Sequence, residues 1–512
     1  MTLAATTIPI AIGLNDWGAV LPELITAAGV LLMLMLDVSP LPRKTDVLTG
    51  VALVVVLLAA IATWNLWGHG QSYAMYFTVT GDKFAMFFNY VILLSLALAI
   101  LMSPGAIRVS AFDPGEYYAL LLSAATGMML MAAGLSLMVL FIALELLSLS
   151  LYILAGFDRS RKRSQEAGFK YFVLSSFASA FLIYGMALVY GATGSTQLNV
   201  IDACLRGQTG VLGSAAAHCT TGVAANSPLL YIGIALMVVG FAFKISVVPF
   251  HMWTPDVYQG APTPVTAFMS VTTKAAVFAA FVRVFNLSLG SVESHWFGLI
   301  WALAIVTMIG GNVVALVQTS MKRMLAYSGI AHAGYLLVAM AANNNDGLTA
   351  IAFYFLAYAV MNIGAFILVS VLEDRGEQGD EISSYRGLFY RSPALTWFTS
   401  AFMFSLAGFP PTAGFVAKYF AFEAIVKAGH TELAVVGVLT SLISIYYYLR
   451  VVVYMFMPAT EGQRRDAIQI PGASDVALAA AVAGTIGFGI LPTGFFNMAT
   501  QAVGAMRAVF NQ

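Results

Sequence analysis

Residues 241–274 read FAFKISVVPFHMWTPDVYQGAPTPVTAFMSVTTK, and this stretch decides the fold. It lies in the middle of a very apolar chain, yet it holds Lys244, His251, Asp256 and Lys274 alongside Pro249, Pro255, Pro262 and Pro264. Proline removes a backbone donor and interrupts the helical ladder, and an ammonium buried in an apolar segment is costly. The bland reading of the two lysines is snorkelling to the headgroups. Each sits too far inside its apolar segment for that. Two lysines flanking a broken helix point instead to an ion or proton path.

Composition outward from this stretch agrees. Of 512 residues 60% are hydrophobic and only 9% charged, too few charges to cover a soluble surface, so the solvent is lipid. The net charge is zero, which gives no argument for a nucleic-acid partner. The start, MTLAATTIPIAIG, lacks the basic region and cleavage site of a signal peptide. A span needs roughly 20 apolar residues, and marking such runs predicts about 14 helices. They cover 17–37, 46–66, 84–103, 115–133, 135–156, 166–191, 228–251, 262–286, 294–318, 322–341, 347–372, 394–429, 431–457 and 474–495. The runs are too long and do not alternate as barrel strands do, so the expected class is an all-α integral membrane protein.

The basic residues set an orientation. Arg43, Lys44, Arg108, Arg159, Arg161, Lys162, Arg163, Lys322, Arg323, Arg375, Arg386, Arg391, Arg464 and Arg465 all fall in loops on one side of that helix count. The opposite loops offer little beyond Lys83, Arg206 and Lys427. The positive side faces the cytoplasm, which puts both termini on the other side of a bacterial plasma membrane.

Candidate chemistry sits inside the spans. Glu145 is the only charge of SLMVLFIALELLSLSLYILAG and lies near its middle. A carboxylate there must be protonated or paired. His332 lies within MKRMLAYSGIAHAGYLLVAMA, where it is either a proton-exchanging group or a satisfied core histidine. A second broken segment, 394–429, carries Pro410 and Pro411 and then Lys418. Glu23 and Asp37, at the ends of the first span, read as interfacial charges. The fourth to eighth and ninth to thirteenth spans form two five-helix units, each broken in its fourth helix. An odd number of helices makes the second unit inverted relative to the first. The expected segments are 1–110, a three-helix start; 111–290, the first repeat; 291–460, the inverted repeat; and 461–512, a C-terminal helix.

These residues resemble the antiporter-like subunits of respiratory complex I and their relatives in cation/proton antiporter complexes. The resemblance is densest over FKISVVPFHMWTPDVYQGAPTPVTAFMSVTTK. The wording FHMWTPDVYQGAPTP, Lys418 in place of an M-type glutamate, and no long lateral C-terminal helix of the L type resemble the N-type members most. The resemblance implies a Glu145–Lys244 pair, a central Lys274 and a terminal Lys418, with His251 and His332 on the same axis. It implies proton translocation coupled to quinone reduction elsewhere, in contact with a neighbouring antiporter-like subunit, small membrane subunits and lipid. The alternative is a subunit of a cation/proton antiporter or membrane-bound hydrogenase complex. The insert at 191–227 departs from the pattern.

The mechanism expected is electrostatic. Burial disfavours a charged lysine and a nearby carboxylate favours it. At an effective dielectric of about 20, charges about 8 Å apart interact by about 2 kcal/mol. Moving Glu145 relative to Lys244 would therefore switch the lysine between holding and releasing a proton. With two cysteines, no CxxC and no nucleotide-binding glycine fingerprint, no cofactor or metal is expected in this chain. The resemblance implies that NAD, flavin, iron–sulfur clusters and quinone belong to partner subunits. Cys204 and Cys219 share one loop on the non-cytoplasmic side, and a disulfide between them is expected.

Overall fold

The computed structural model describes residues 14–40, 42–69, 73–207, 227–374, 379–459, 466–468 and 470–510. The chain is helical almost throughout. A short α1 (Leu14–Ala19) precedes α2 (Leu21–Asp37) and α3 (Lys44–His69). A hairpin of two-residue strands, β1 (Tyr73–Ala74) and β2 (Val79–Thr80), pairs Tyr73 with Thr80 and Ala74 with Val79. Then come α4 (Lys83–Ser110), α5 (Pro114–Ala133), α6 (Leu137–Ala155), α7 (Lys162–Thr193) and α8 (Leu198–Leu205). The centre holds α9 (Pro228–Lys244), α10 (Trp253–Gly260), α11 (Thr263–Val282), α12 (Phe297–Ala315), α13 (Met321–Ala341) and α14 (Asn345–Glu373). The chain continues through α15 (Leu388–Arg391), α16 (Pro393–Ala407), α17 (Ala413–Lys427) and α18 (Thr431–Phe456) to α19 (Gly472–Ile490) and α20 (Pro492–Phe510).

Among the described residues, 11 helices are long and apolar enough to cross a membrane. The other three segments expected to cross are shorter or interrupted: α2, α9, and the pair α16–α17. Local chemistry explains the boundaries. Asp82, Ser320 and Asn344 cap α4, α13 and α14 by accepting from the backbone N–H three residues on. Proline sits in the first turn of α5, α9, α11 and α16, where its missing N–H costs nothing.

The two breaks come where proline demands them. The helix expected over 228–251 stops at Lys244, because Pro249 leaves Ile245 without its helical donor and restricts the residue before it. Ser246 takes a left-handed φ of 65° in the turn, and Thr254 donates to its hydroxyl at 2.7 Å. The Trp253 indole donates to the Phe243 carbonyl at 3.0 Å, alongside the Ser246 N–H at 3.1 Å. The expected 394–429 helix is interrupted between Ala407 and Ala413 around Pro410 and Pro411.

Helices α11 and α14 form the centre, each buried along its whole apolar window. They pack on one another and on α4, while α13, α17, α19 and α20 close around α14. Outermost at one end, α7 pairs with α9 and turns Phe169, Phe177 and Tyr184 outward.

Four expectations are corrected. Glu23 is not interfacial but buried, at 2% exposure. The C-terminal segment holds two helices, since Pro492 starts α20 straight after α19 and α20 packs back on α4 and α14. The insert begins as structure, with α7 running to Thr193 and α8 following. Cys204 is not exposed but buried in α8 and is disulfide-bonded; its expected partner Cys219 lies outside the described residues, as do Arg375, Arg464 and Arg465.

Candidate functional site

Helices α6 and α7 build the first part of the site. Glu145, Ser148 and Tyr152 are three and four residues apart on α6, and Tyr171, Ser175 and Ser179 are four apart on α7, so each set lies on one face. Lys244, the last residue of α9, enters between them. Its Nζ donates to Ser175 at 2.5 Å, Ser148 at 2.6 Å and Tyr152 at 3.3 Å, and lies over the Tyr152 and Tyr171 rings. Glu145 is half-buried and accepts from Ser179 at 2.6 Å. Among the described ion pairs none joins Glu145 to Lys244. Lys244 is held by neutral hydroxyl oxygens.

The second part is Lys274, midway along α11 and buried. Its Nζ donates to the Gly329 carbonyl of α13 at 2.8 Å and faces the Tyr258 ring. A Cβ on Gly329 would lie 2.8 Å from that Nζ and 2.9 Å from the Tyr358 hydroxyl, so glycine is what lets the lysine meet the next group. Tyr171 stacks on Trp253, which meets Tyr258 edge-on, and these three rings run between Lys244 and Lys274.

His332 follows one turn beyond Gly329. Its Nδ1 is 2.5 Å from the Tyr354 hydroxyl and its Nε2 3.3 Å from that of Tyr448. The Tyr358 ring centroid lies 5.1 Å and that of Tyr335 5.7 Å from the imidazole. Tyr448 in turn shares a hydrogen bond with Ser328. His332 is fully hydrogen-bonded in the core, and on its far side Lys418 lies 5.1 Å over the Tyr335 ring that packs against the imidazole.

Lys418 shows why the second break exists. In an unbroken helix the carbonyls of Leu406 and Ala407 would accept from residues 410 and 411, which are both proline and have no N–H. Lys418 Nζ donates to both carbonyls at 3.0 Å and to Ser441 at 2.8 Å. Gly408, at φ 93°, turns the chain and leaves room for the lysine. A cavity of about 590 Å³ lined by Phe415, Tyr419, Leu442, Glu423 and Lys427 adjoins it.

His251 stands apart from this row. It is half-buried in the turn before α10, its Nδ1 has no hydrogen-bond partner, and its ring approaches Tyr327 at 6.2 Å. The structure therefore brings Lys274, His332 and Lys418 into one contiguous row, sets Lys244 and Glu145 beside it, and leaves His251 at its margin.

The family model for the transmembrane part of NADH:quinone oxidoreductase/Mrp antiporter proteins matches residues 134–444. The chain belongs to this antiporter-like family. NADH-quinone oxidoreductase subunit N of Trichlorobacter lovleyi is 43% identical over 484 residues, 94% of this chain and 96% of that protein. The subunit N of Chloroflexus aggregans is 41% identical, covering 94% of this chain and 96% of its own length. A chain of respiratory complex I from Thermus thermophilus, solved with bound aureothin, has TM-score 0.76 at 33% identity, covering 93% of this chain and 98% of that one.

The matched region of the antiporter-like family covers every acidic and basic residue of the row. Its hydroxyls beyond those of α7 were not singled out from sequence: Ser148, Tyr354, Tyr358, Tyr448 and Ser441. The signal was present as polar residues at helical spacing on apolar helices. Also unpredicted is a network at the end of the bundle. Asp256 pairs with Lys170 at 2.8 Å and Arg323 at 2.7 Å, and the buried Lys322 pairs with Glu373 at 2.8 Å. These contacts tie α7, α10, α13 and α14 together near the first break.

Proposed function

We propose that this chain is the N-type proton-translocating membrane subunit of an NADH–quinone oxidoreductase. Its protons move along Glu145, Lys244, Lys274, His332 and Lys418. The observation that carries this reading is the contiguous row from Lys274 through Gly329, Tyr358, His332 and Tyr335 to Lys418. A chain of packed ionisable and hydroxyl groups inside a membrane costs stability and has no structural need to be continuous. Glu145 biases Lys244 by its charge, across a hydroxyl-lined stretch of α6 and α7. When the carboxylate moves away, the lysine loses the anion that favours its charge and passes a proton on. Lys244 and Lys418 each sit at a helix break; at the second, carbonyls free of helical bonds hold the Lys418 ammonium. His251 acts at the rim rather than in the row.

The two broken helices support the reading of 111–290 and 291–460 as inverted repeats working against one another. The positive-inside pattern supports a bacterial plasma-membrane location with both termini outside the cytoplasm. This chain works without a redox centre of its own; NAD, flavin, iron–sulfur clusters and quinone act in partner subunits. The half-buried Glu145 and the cavity beside Lys418 lie at opposite ends and suit contacts with neighbouring membrane subunits. The antiporter or hydrogenase alternative is not favoured, because the relatives at 43% and 41% identity bear the subunit N name.

The test uses the whole complex in liposomes. Lys274→Ala is expected to assemble and to lose most proton uptake driven by NADH oxidation. Normal uptake at normal assembly would sink the proposal.

A further inference from the structure

Outside the lysine row, one acidic group is buried with no described cation. Glu23, on α2, is 2% exposed, and Asn89, on α4, is fully buried. Asn89 Nδ2 donates to Glu23 Oε1 at 2.9 Å. The remaining oxygens of this pair, Glu23 Oε2 and Asn89 Oδ1, are both buried and both lack a hydrogen-bond partner. Two unsatisfied acceptors in one side-chain pair are expensive, since each forfeits its hydration.

One proton removes both deficits. We propose that Glu23 and Asn89 form a proton-binding site in which Glu23 is a neutral carboxylic acid, donating from Oε2 to Asn89 Oδ1 while Asn89 donates back to Oε1. The two side chains then close a reciprocal pair, as an amide and a carboxylic acid do by their donor inventory. The bound proton adds an O–H bond at Oε2 and cancels the anion, and no other group changes.

The surroundings agree. No described cation lies within ion-pair distance of Glu23. On α4, Asp82 is taken by Arg283 at 2.7 Å, and Lys83 lies over the Trp67 ring. On α3, Lys44 and Asp46 sit at the far end, where Lys44 pairs with Asp37. On α5, Glu116 is at that same far end, next to Gly115, which abuts Asp37. The nearby hydroxyls of Thr26 and Thr126 are spent on the Glu23 and Leu122 carbonyls. An ionised Glu23 would be an uncompensated buried anion, the state that membranes and protein interiors resist most.

Infrared spectroscopy of the whole complex in lipid tests this. At neutral pH the native complex should show a carboxylic acid C=O band, sensitive to deuteration, that disappears in Glu23→Gln. Asn89→Ala should shift that band to higher frequency by removing the hydrogen bond on the C=O. Glu23→Gln should assemble normally, because its amide donates to Asn89 Oδ1 as the acid does. A spectrum in which Glu23→Gln removes a carboxylate band and no acid band overturns the proposal. If Glu23→Gln fails to assemble, the Asn89→Ala shift decides it, and an unshifted acid band refutes the pair.

Discussion

Lys274 and Gly329 show how much a single hydrogen atom in place of a methyl matters here. Any Cβ at residue 329 would stand between Lys274 Nζ and the Tyr358 hydroxyl. Gly329→Val should therefore assemble yet lose most proton translocation, measured as acidification in proteoliposomes at matched NADH oxidation by the partner subunits. Asp374, just beyond α14, gives a pH-dependent prediction. Burial first, and then the neighbouring Glu373 charge, raise its carboxyl from 3.8 to about 7, and its Oδ2 has no partner. The folded chain then holds a proton that the unfolded chain has lost, so stability falls as pH rises from 3.8 to about 7. Asp374→Asn should flatten that slope and raise the thermal midpoint above pH 7. An unchanged slope in melting curves across that range would refute the assignment.

At the scale of elements, the two helix breaks are the decisive devices. Pro410 and Pro411 act by absence, since without them Leu406 and Ala407 would have helical donors and Lys418 would have none of its backbone acceptors. The double change Pro410→Ala with Pro411→Ala should stabilise the local helix, because proline in a helix interior costs about 3 kcal/mol. It should nonetheless impair pumping by releasing the Lys418 ammonium from its seat. Hydrogen exchange would report slower opening around residues 406–411, and proteoliposome acidification would report the loss. Faster pumping, or unchanged pumping with slower exchange, would separate the break from function.

Over the whole molecule, the fully buried pair Arg283–Asp82 ties the residue just past α11, which carries Lys274, to the N-cap of α4 at 2.7 Å, while Arg283 Nε also donates to the Ala132 carbonyl of α5 at 2.9 Å. Removing one partner of a buried pair strands the other charge at a cost of about 3–5 kcal/mol. Asp82→Asn should reduce the amount of assembled complex, seen by native electrophoresis, whereas Asp46→Asn, at an exposed pair with Arg108, should not. Equal assembly of the two variants would remove the structural role given to the pair.

The sequence by itself determined the class, most helix positions and the ionisable residues of the row. Lipid solvent forces long apolar helices, prolines mark their breaks, and a charge inside an apolar run cannot be overlooked. Lys244, Lys274, His332 and Lys418 were legible for that reason. Tertiary structure alone decided who meets whom. Serines and tyrosines inside membrane helices are ordinary packing residues until a partner helix places a charge against them, so Ser148, Tyr354 and Tyr448 drew no notice. His251 looked equivalent to His332 in sequence, yet only the latter is drawn into the row, because α13 packs against α11 and α14 while His251 stays half-buried in the turn after α9. Glu23 read as interfacial because its run begins there, and only the packing of α2 near Asn89 buries it. Hydropathy is a property of one segment, whereas burial and hydrogen bonding belong to pairs of helices that the chain brings together from far apart.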